Sequence, residues 1–243
     1  MSKLHTGDIT DLVSGLIRDG MSIAVGGFGL SGSPFDLIEA VNASGAKDLT
    51  IVSNNMSIDG IGLGLLLESQ QVKKVMASYV GENKAFAEQY LAGQLELEFV
   101  PQGSLAERLR AAGAGIPAFF TPTGYGTIIA EGKEVREING RHYILEEAIR
   151  TDLALVHAAT ADPNGNLVYN RTARNFNPVC AMAGRITIAQ AEQVVELGDL
   201  DPDFIHTPGV YVQHLVQAVP RIKPIERVTT RPRPEGNSAE KGN

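Results

Sequence analysis

Three uncharged side-chain amides stand where an open α/β sheet usually meets its ligand. Asn54 and Asn55 follow the apolar run 49–52, and Gln102 comes after the run 95–100, just beyond Pro101. Residues at the carboxyl ends of parallel strands face the binding crevice. Amides placed there hydrogen-bond a carbonyl or carboxylate without fixing its charge. They do not act as nucleophiles, or as general acids or bases near neutral pH. A satisfied turn is the plain alternative for the Asn54-Asn55 pair. The second chemical candidate is the stretch 19–34, where apolar residues 21–25 run into Gly26, Gly27, Phe28, Gly29 and Gly32. Glycine-dense backbone of this kind can approach a ligand closely.

Residues 27–32 also satisfy G-x-G-x-x-G after a predicted strand, so a dinucleotide site and an NAD(P)-binding oxidoreductase come into view. Two features count against it. In that fingerprint the helix begins inside the glycine motif, which would put Pro34 in the first turns, where its ring clashes and a helical hydrogen bond is lost. The second strand should end in an acid for the ribose hydroxyls, and here it ends Ser53-Asn54-Asn55. A tight turn that serves packing alone is the other reading. No metal site is legible: His5, His142, His157, His206 and His214 are dispersed, and Cys180 is the single cysteine. No Gly-x-Ser-x-Gly elbow and no Gly-Lys-Ser/Thr phosphate loop occurs.

Positioning these groups requires alternating strands and helices. Residues 8–18 place Ile9, Leu12, Val13, Leu16 and Ile17 on one helical face, with Gly20 as the stop. A strand at 21–25 follows, then a helix with Ser33 as N-cap and Pro34 as its first residue. Further strands are predicted at 49–52, 73–77 and 95–100, with helices at 61–68, 83–92 and 104–112, the last capped by Gly113. This pattern implies an α/β fold with an open, mostly parallel sheet covered by helices on both faces. Beyond Pro117, residues 121–127 read as a loop, and 135–138 and 142–145 flank Asn139-Gly140, a hairpin signal. A small β-hairpin insertion on the α/β body is expected.

Residues 152–161 form the best single strand candidate, turned back onto 167–169 through Asp162-Pro163-Asn164-Gly165-Asn166. Two separate β-like runs, 185–189 and 193–197, and a short apolar run at 210–218 complete the domain, taken as residues 1–230. Residues 231–243 are Pro, Gly, Ser and charge, and read as a disordered tail.

Composition bounds the rest. With 243 residues, 43% hydrophobic and 20% charged, the chain is long enough to bury a real core. The net charge of −7 argues against a nucleic-acid partner, because there is no basic excess to displace phosphate counterions. Apolar runs fall far short of a membrane span, and no signal peptide or presequence is legible at the N-terminus. The lone cysteine, expected to be a small buried side chain, suggests a reducing compartment, and a cytoplasmic protein is expected.

The residues then carry a family resemblance. Asp19-Gly20 with the later Gly26-Gly27-Phe28, Gly32 and Pro34 resembles the signature of family I coenzyme A transferases, in their A-type subunit. Val52-Ser53-Asn54-Asn55, Ser78-Tyr79-Val80-Gly81-Glu82-Asn83, residues 101–108, residues 120–127, Glu134-Val135-Arg136-Glu137 and Ala173-Arg174-Asn175-Phe176-Asn177 are similar too. The resemblance spans about residues 5–228. It implies a transfer of CoA from succinyl-CoA to a 3-oxoacid such as acetoacetate, with 3-oxoadipate as the alternative acceptor, and no cofactor beyond the coenzyme A thioester that is the substrate. The family's nucleophile is a glutamate of the complementary B-type subunit within Ser-Glu-Asn-Gly, an example of covalent carboxylate catalysis. Gly81-Glu82-Asn83-Lys84 lacks the serine and the final glycine, and Glu196-Leu197-Gly198 lies in an acidic run expected to be exposed. The resemblance therefore implies a partner, the CoA-transferase B-type subunit, in a heterodimer or dimer of heterodimers. It also implies that Asn54, Asn55 and Gln102 face the partner's glutamate and the substrate carboxylate, with the glycine turn shaping the same pocket. A non-catalytic acyl-CoA binding module is the remaining rival.

Overall fold

The computed structural model describes residues 2–81 and 83–224. Glu82 and the predicted tail 231–243 lie outside the described residues. Asp8 caps helix α1 (Ile9–Leu16), its carboxylate accepting the Thr10 and Asp11 N–H groups. Strand β1 (Ser22–Val25), helix α2 (Phe35–Ser44), strand β2 (Leu49–Ser53), helix α3 (Gly64–Glu68) and strand β3 (Val72–Ala77) follow. Helix α4 (Lys84–Leu91), strand β4 (Glu96–Phe99) and helix α5 (Gln102–Gly113) complete the first run. After an insertion come β8 (Thr151–Ala161), β9 (Leu167–Val168), helix α6 (Asn177–Ala183), β10 (Gly184–Val194) and β11 (His214–Gln217).

The strands form one sheet in the order β11-β10-β8-β1-β2-β3-β4, with the short β9 attached to β8. Every pairing along that order is parallel, and only β8 with β9 is antiparallel. Successive side chains of a strand leave opposite faces, and they sort into two cores. Ile23, Val25, Ile51, Val75 and Leu153 pack with α1, α2, α3 and Phe86 of α4. Ala24, Val52, Met76, Ala154 and Val156 pack with Leu105 and Leu109 of α5 and with Cys180 and Ala181 of α6. The open parallel sheet covered on both faces is thus present, and Cys180 is wholly buried, its thiol pushed up to about 12 by desolvation.

Four details depart from the sequence reading. The run 185–189 and the start of the run 193–197 are one strand, β10, which pairs with β8 from Gly184 opposite Thr151 to Val194 opposite Ala161, while 195–197 lie beyond its end. What interrupts the apolar pattern is Gln190, buried and hydrogen-bonded inside the fold. Helix α6 has no counterpart among the predicted elements. Pro34, rather than Ser33, is the cap residue of α2, because the Ser33 hydroxyl donates back to the Gly29 carbonyl at 3.3 Å. Helix α5 starts two residues early and takes in Gln102, and it ends with Gly113 as its last residue and Ala114 as the C-cap.

The insertion is a three-stranded antiparallel sheet, β5-β7-β6, built from β5 (Ala118–Thr121), β6 (Val135–Ile138) and β7 (Arg141–Glu147). The expected hairpin is there: Asn139 and Gly140 both have positive φ, 53° and 74°, as a type I′ turn demands. A third strand widens it, because β5 pairs with β7 from Ala118 opposite Glu147 to Thr121 opposite Ile144.

An ionic cluster fixes this sheet to α5. Glu146, 1% exposed, accepts from Lys133 Nζ at 2.7 Å and lies 3.7 Å from Arg108 Nη1. Arg108 also binds Glu98 at 2.8 Å and donates through Nε to the Glu147 carbonyl at 2.7 Å. Arg108→Met leaves a buried carboxylate short of a cation, and urea unfolding is expected to register a loss of about 3 kcal/mol. Adding Glu146→Gln should return part of that loss. A single variant as stable as the parent would show that the cluster does not hold the insertion.

Candidate substrate-facing site

Strand order reverses at β1. From it the chain steps outward through β2, β3 and β4, and later outward on the other side through β8, β10 and β11. The carboxyl end of such a switch is where open α/β sheets form a crevice. Here it is occupied by the glycine turn. Gly27, Gly29 and Gly32 have φ of 122°, 57° and 71°, a region that side-chain-bearing residues rarely adopt. Gly26 is needed for a different reason: a Cβ there would overlap the side chain of Asn177. Phe28, at the tip, is 48% exposed.

A cavity of about 970 Å³ opens beside this turn. The turn from Phe28 to Ser33 forms one wall, and the segment 218–224 beyond β11 forms the other, with His157, Gln190 and Glu192 between them. A polar network lines that floor. Gln190 Oε1 accepts the Leu37 N–H at 3.2 Å, so its Nε2 is the donor end, bonded to Asp36 Oδ2 at 3.3 Å and His157 Nδ1 at 3.2 Å. His157 Nδ1 is therefore an acceptor, and its proton sits on Nε2, which donates to Glu192 at 2.9 Å. Lys223 reaches the same carboxylate at 2.5 Å. Arg221 pairs with Asp36 and with Glu39, and the Val219 N–H donates to Asp36 at 2.9 Å.

Burial disfavours the charged imidazole, and it lowers the pKa of His157 in spite of Glu192. For Glu192 burial works toward protonation, yet the hydrogen bonds from Lys223 and His157 outweigh it and hold the carboxyl low. Hydrogen bonds to the Glu39 carboxylate, with the Asp36 charge beside it, raise Arg221 against desolvation.

The three amides lie along the same sheet edge but do not line this cavity. Asn54, 2% exposed just after β2, donates through Nδ2 to Ser78 Oγ at 2.9 Å, and its carbonyl accepts from the Ser78 and Tyr79 N–H groups. Its role in the fold is to join the ends of β2 and β3. Asn55, 7% exposed, accepts from the Ser57 N–H at 3.4 Å, and its Nδ2 has no hydrogen bond within the described residues. Gln102 is exposed at the first turn of α5, again without a side-chain hydrogen bond among the described residues. With β3 between them, the ends of β2 and β4 are about 10 Å apart. Among the described residues the edge thus presents two amide NH2 groups without a hydrogen bond, on Asn55 and Gln102, beside one that is spent on structure. Glu196 is exposed in the turn after β10.

His157, Gln190, Asp36, Asn175 and Asn177 escaped the sequence reading as site residues. Their signal was faint: a polar residue inside an otherwise apolar stretch, as with Asp36 between Phe35 and Leu37 or Gln190 between Ala189 and Ala191.

Solved structures share this fold. Glutaconate coenzyme A-transferase from Acidaminococcus fermentans aligns with a TM-score of 0.78 at 20% identity, covering 89% of this chain and 76% of that one. An acyl-CoA transferase of Escherichia coli O157:H7 gives 0.78 at 22% identity over 87% of this chain, which spans only 46% of that longer chain. The decarboxylase AibA/AibB has it as well, at a TM-score of 0.75 and 25% identity over 90% of this chain and 84% of that one, so the architecture alone does not select a reaction. Sequence is more discriminating. The coenzyme A transferase family model matches residues 6–218. The A-type subunit of succinyl-CoA:3-ketoacid coenzyme A transferase from Xanthomonas campestris is 58% identical over 92% of this chain and 93% of its own. The probable A-type subunit of the same enzyme in Bacillus subtilis is 59% identical over 88% and 90%. The chain belongs to the coenzyme A transferase family.

The lowered pKa of His157 has a measurable consequence. The unfolded chain takes up a proton near 6.5 that the folded chain resists, so stability is complete above that value and declines as pH falls through it. Urea midpoints measured from pH 7.5 to 5.5 should fall, and His157→Gln should flatten the decline. Burial also lowers His206 and His214, so a residual slope persists. Identical profiles for parent and variant would remove His157 from this role.

Proposed function

We propose that this chain is the A-type subunit of a heteromeric transferase that moves coenzyme A from succinyl-CoA to a 3-oxoacid such as acetoacetate. The observation that carries the reading is the 58% identity to a relative so named, spread over 92% of this chain and 93% of the relative. A match of that length leaves no separate segment of the relative to account for its activity.

In this reading the nucleophile is a glutamate of the complementary B-type subunit. Its carboxylate attacks the succinyl thioester carbonyl and expels the CoA thiolate, leaving a mixed anhydride. The thiolate then attacks the glutamyl carbonyl, succinate departs, and a glutamyl-CoA thioester remains. The acceptor carboxylate displaces CoA again to form a second anhydride, and the returning thiolate attacks the acceptor's acyl carbon. The carboxylate is regenerated, so atoms and charge balance. Oxyanions form at each attack. Asn55 and Gln102 are the side chains on this chain suited to face them, because an amide N–H stabilises developing negative charge without exchanging a proton, while Asn54, bonded to Ser78, holds the strand end beside them. Gly26, Gly27, Phe28, Gly29 and Gly32 shape the wall beside them. No cofactor other than the thioester substrate enters these steps.

The test is to purify the chain alone and co-expressed with its B-type partner. Transfer from succinyl-CoA to acetoacetate is expected only in the mixture, with parallel assays on 3-oxoadipate deciding the acceptor. Tight NADH binding by the isolated chain, with no transfer by the mixture, would overturn the reading. Gln102→Ala sharpens it: kcat is expected to fall by about 100- to 1000-fold. The melting temperature should stay put, because the side chain is exposed. A fully active variant removes Gln102 from the oxyanion site.

A further inference from the structure

The glycine turn is not held by its own bonds alone. Of its backbone groups, Phe28 and Ser31 bond each other across the turn at 3.0 Å in both directions, and the Gly26 N–H donates to Leu155 of β8 at 2.9 Å. The Ser33 hydroxyl donates to the Gly29 carbonyl at 3.3 Å, and the further anchors come from two asparagine side chains almost 150 positions along the chain. Asn175 accepts the Gly27 N–H at 3.2 Å through Oδ1 and donates through Nδ2 to the Ser31 carbonyl at 2.9 Å. Asn177 donates through Nδ2 to the Gly32 carbonyl and to the Ala173 carbonyl, both at 3.0 Å, and accepts the His157 N–H at 2.8 Å.

The fit is steric as well as polar. Asn177 is fully buried, and it fills the hollow that the missing side chains of Gly26 and Gly32 leave open: a Cβ on Gly26 would stand 2.6 Å from Asn177 Cγ, and one on Gly32 would stand 3.0 Å from its Nδ2. Both asparagines have donors and acceptors used in matched directions, so neither amide can reverse without losing bonds at each end.

The clip has a directional effect. Across a trans peptide the carbonyl and the following N–H point opposite ways. With the Ser31 and Gly32 carbonyls drawn onto Asn175 and Asn177, the Gly32 and Ser33 N–H groups point away from them. Neither N–H has a hydrogen bond within the described residues, and both residues line the cavity.

We propose that Asn175 and Asn177 are positioning residues for acyl transfer: they clip the glycine turn into the one shape that presents the Gly32 and Ser33 amides to the oxygen on which negative charge develops during transfer. The inference rests on the transferase reading only for the identity of the reaction. The shape of the turn does not depend on it.

The experiment uses the chain assembled with its B-type partner and takes the half-buried Asn175 first, since changes at fully buried Asn177 risk the fold. Asn175→Ala is expected to lower kcat by about 10- to 100-fold, the cost of a misplaced group. KM for succinyl-CoA should stay within about twofold, because the clip acts through geometry and not through ground-state affinity. Thermal midpoint and co-purification with the partner should match the parent. Asn175→Asp keeps the acceptor for Gly27 but loses the donor to Ser31, and should fall between. Hydrogen exchange read by mass spectrometry over residues 26–34 should accelerate in both variants. Parental kcat, or unchanged exchange, overturns the proposal, as does activity lost only in proportion to assembly or stability. If the parent assembly itself transfers no CoA, the transferase reading fails while the exchange measurement still decides the clip.

Discussion

Strand β1 is the seam of the molecule. It has four residues, yet it alone pairs with both β2 and β8, so the two halves of the sheet meet only through its backbone. A parallel strand covered on both faces must satisfy its hydrogen bonds on both edges and bury apolar side chains on both sides, and the sequence Ile23-Ala24-Val25 does so within three residues. Its start is tied down by Asp152, whose carboxylate accepts from the Ser22 N–H at 2.9 Å and the Ser22 hydroxyl at 2.7 Å, bonds that also hold that carboxyl below its ordinary pKa. Its end is the glycine turn. A shift in β1 would move both halves and the turn together.

The local order of strands and helices was legible because it depends on near-neighbour patterning. Apolar residues at helical spacing marked α1, the stretch 152–161 stood out as the strand β8, and Asn139-Gly140 marked the hairpin. What was not legible depends on groups far apart in the chain. Gln190 broke the pattern of β10 because its partners, Leu37 and Asp36, lie on a helix about 150 residues earlier. Helix α6, at 7 residues, is too short for a helical period to register, although Asn177-Pro178 at its start is a recognisable opening.

The site divides in the same way. Asn54, Asn55 and Gln102 could be picked out because strand ends are predictable places for ligand contact. Which of their amides are free to meet a ligand was not readable. Asn54 is bound to Ser78, and that bond exists only because β3 ends beside β2. Likewise the glycines announced a tight turn, but the asparagines that fill it became visible only once residues 170–177 were seen lying against 26–33.

The two walls of the cavity are made of different materials. The glycine wall is held by uncharged amides and close packing around a fully buried Asn177. The facing wall, residues 218–224, is held in part by the partly exposed pairs Arg221 with Glu39 and Lys223 with Glu192, and in part by the buried Asp36, which takes Arg221 and the Val219 N–H. Mobile ions screen exposed pairs over a Debye length of about 8 Å at physiological ionic strength, while they scarcely weaken buried neutral hydrogen bonds. Ionic strength therefore acts on this cavity asymmetrically: salt weakens the exposed pairs of the outer wall, which Asp36 still anchors from within, and leaves the glycine wall as it was, so the outer face answers to its surroundings more than the glycine face does.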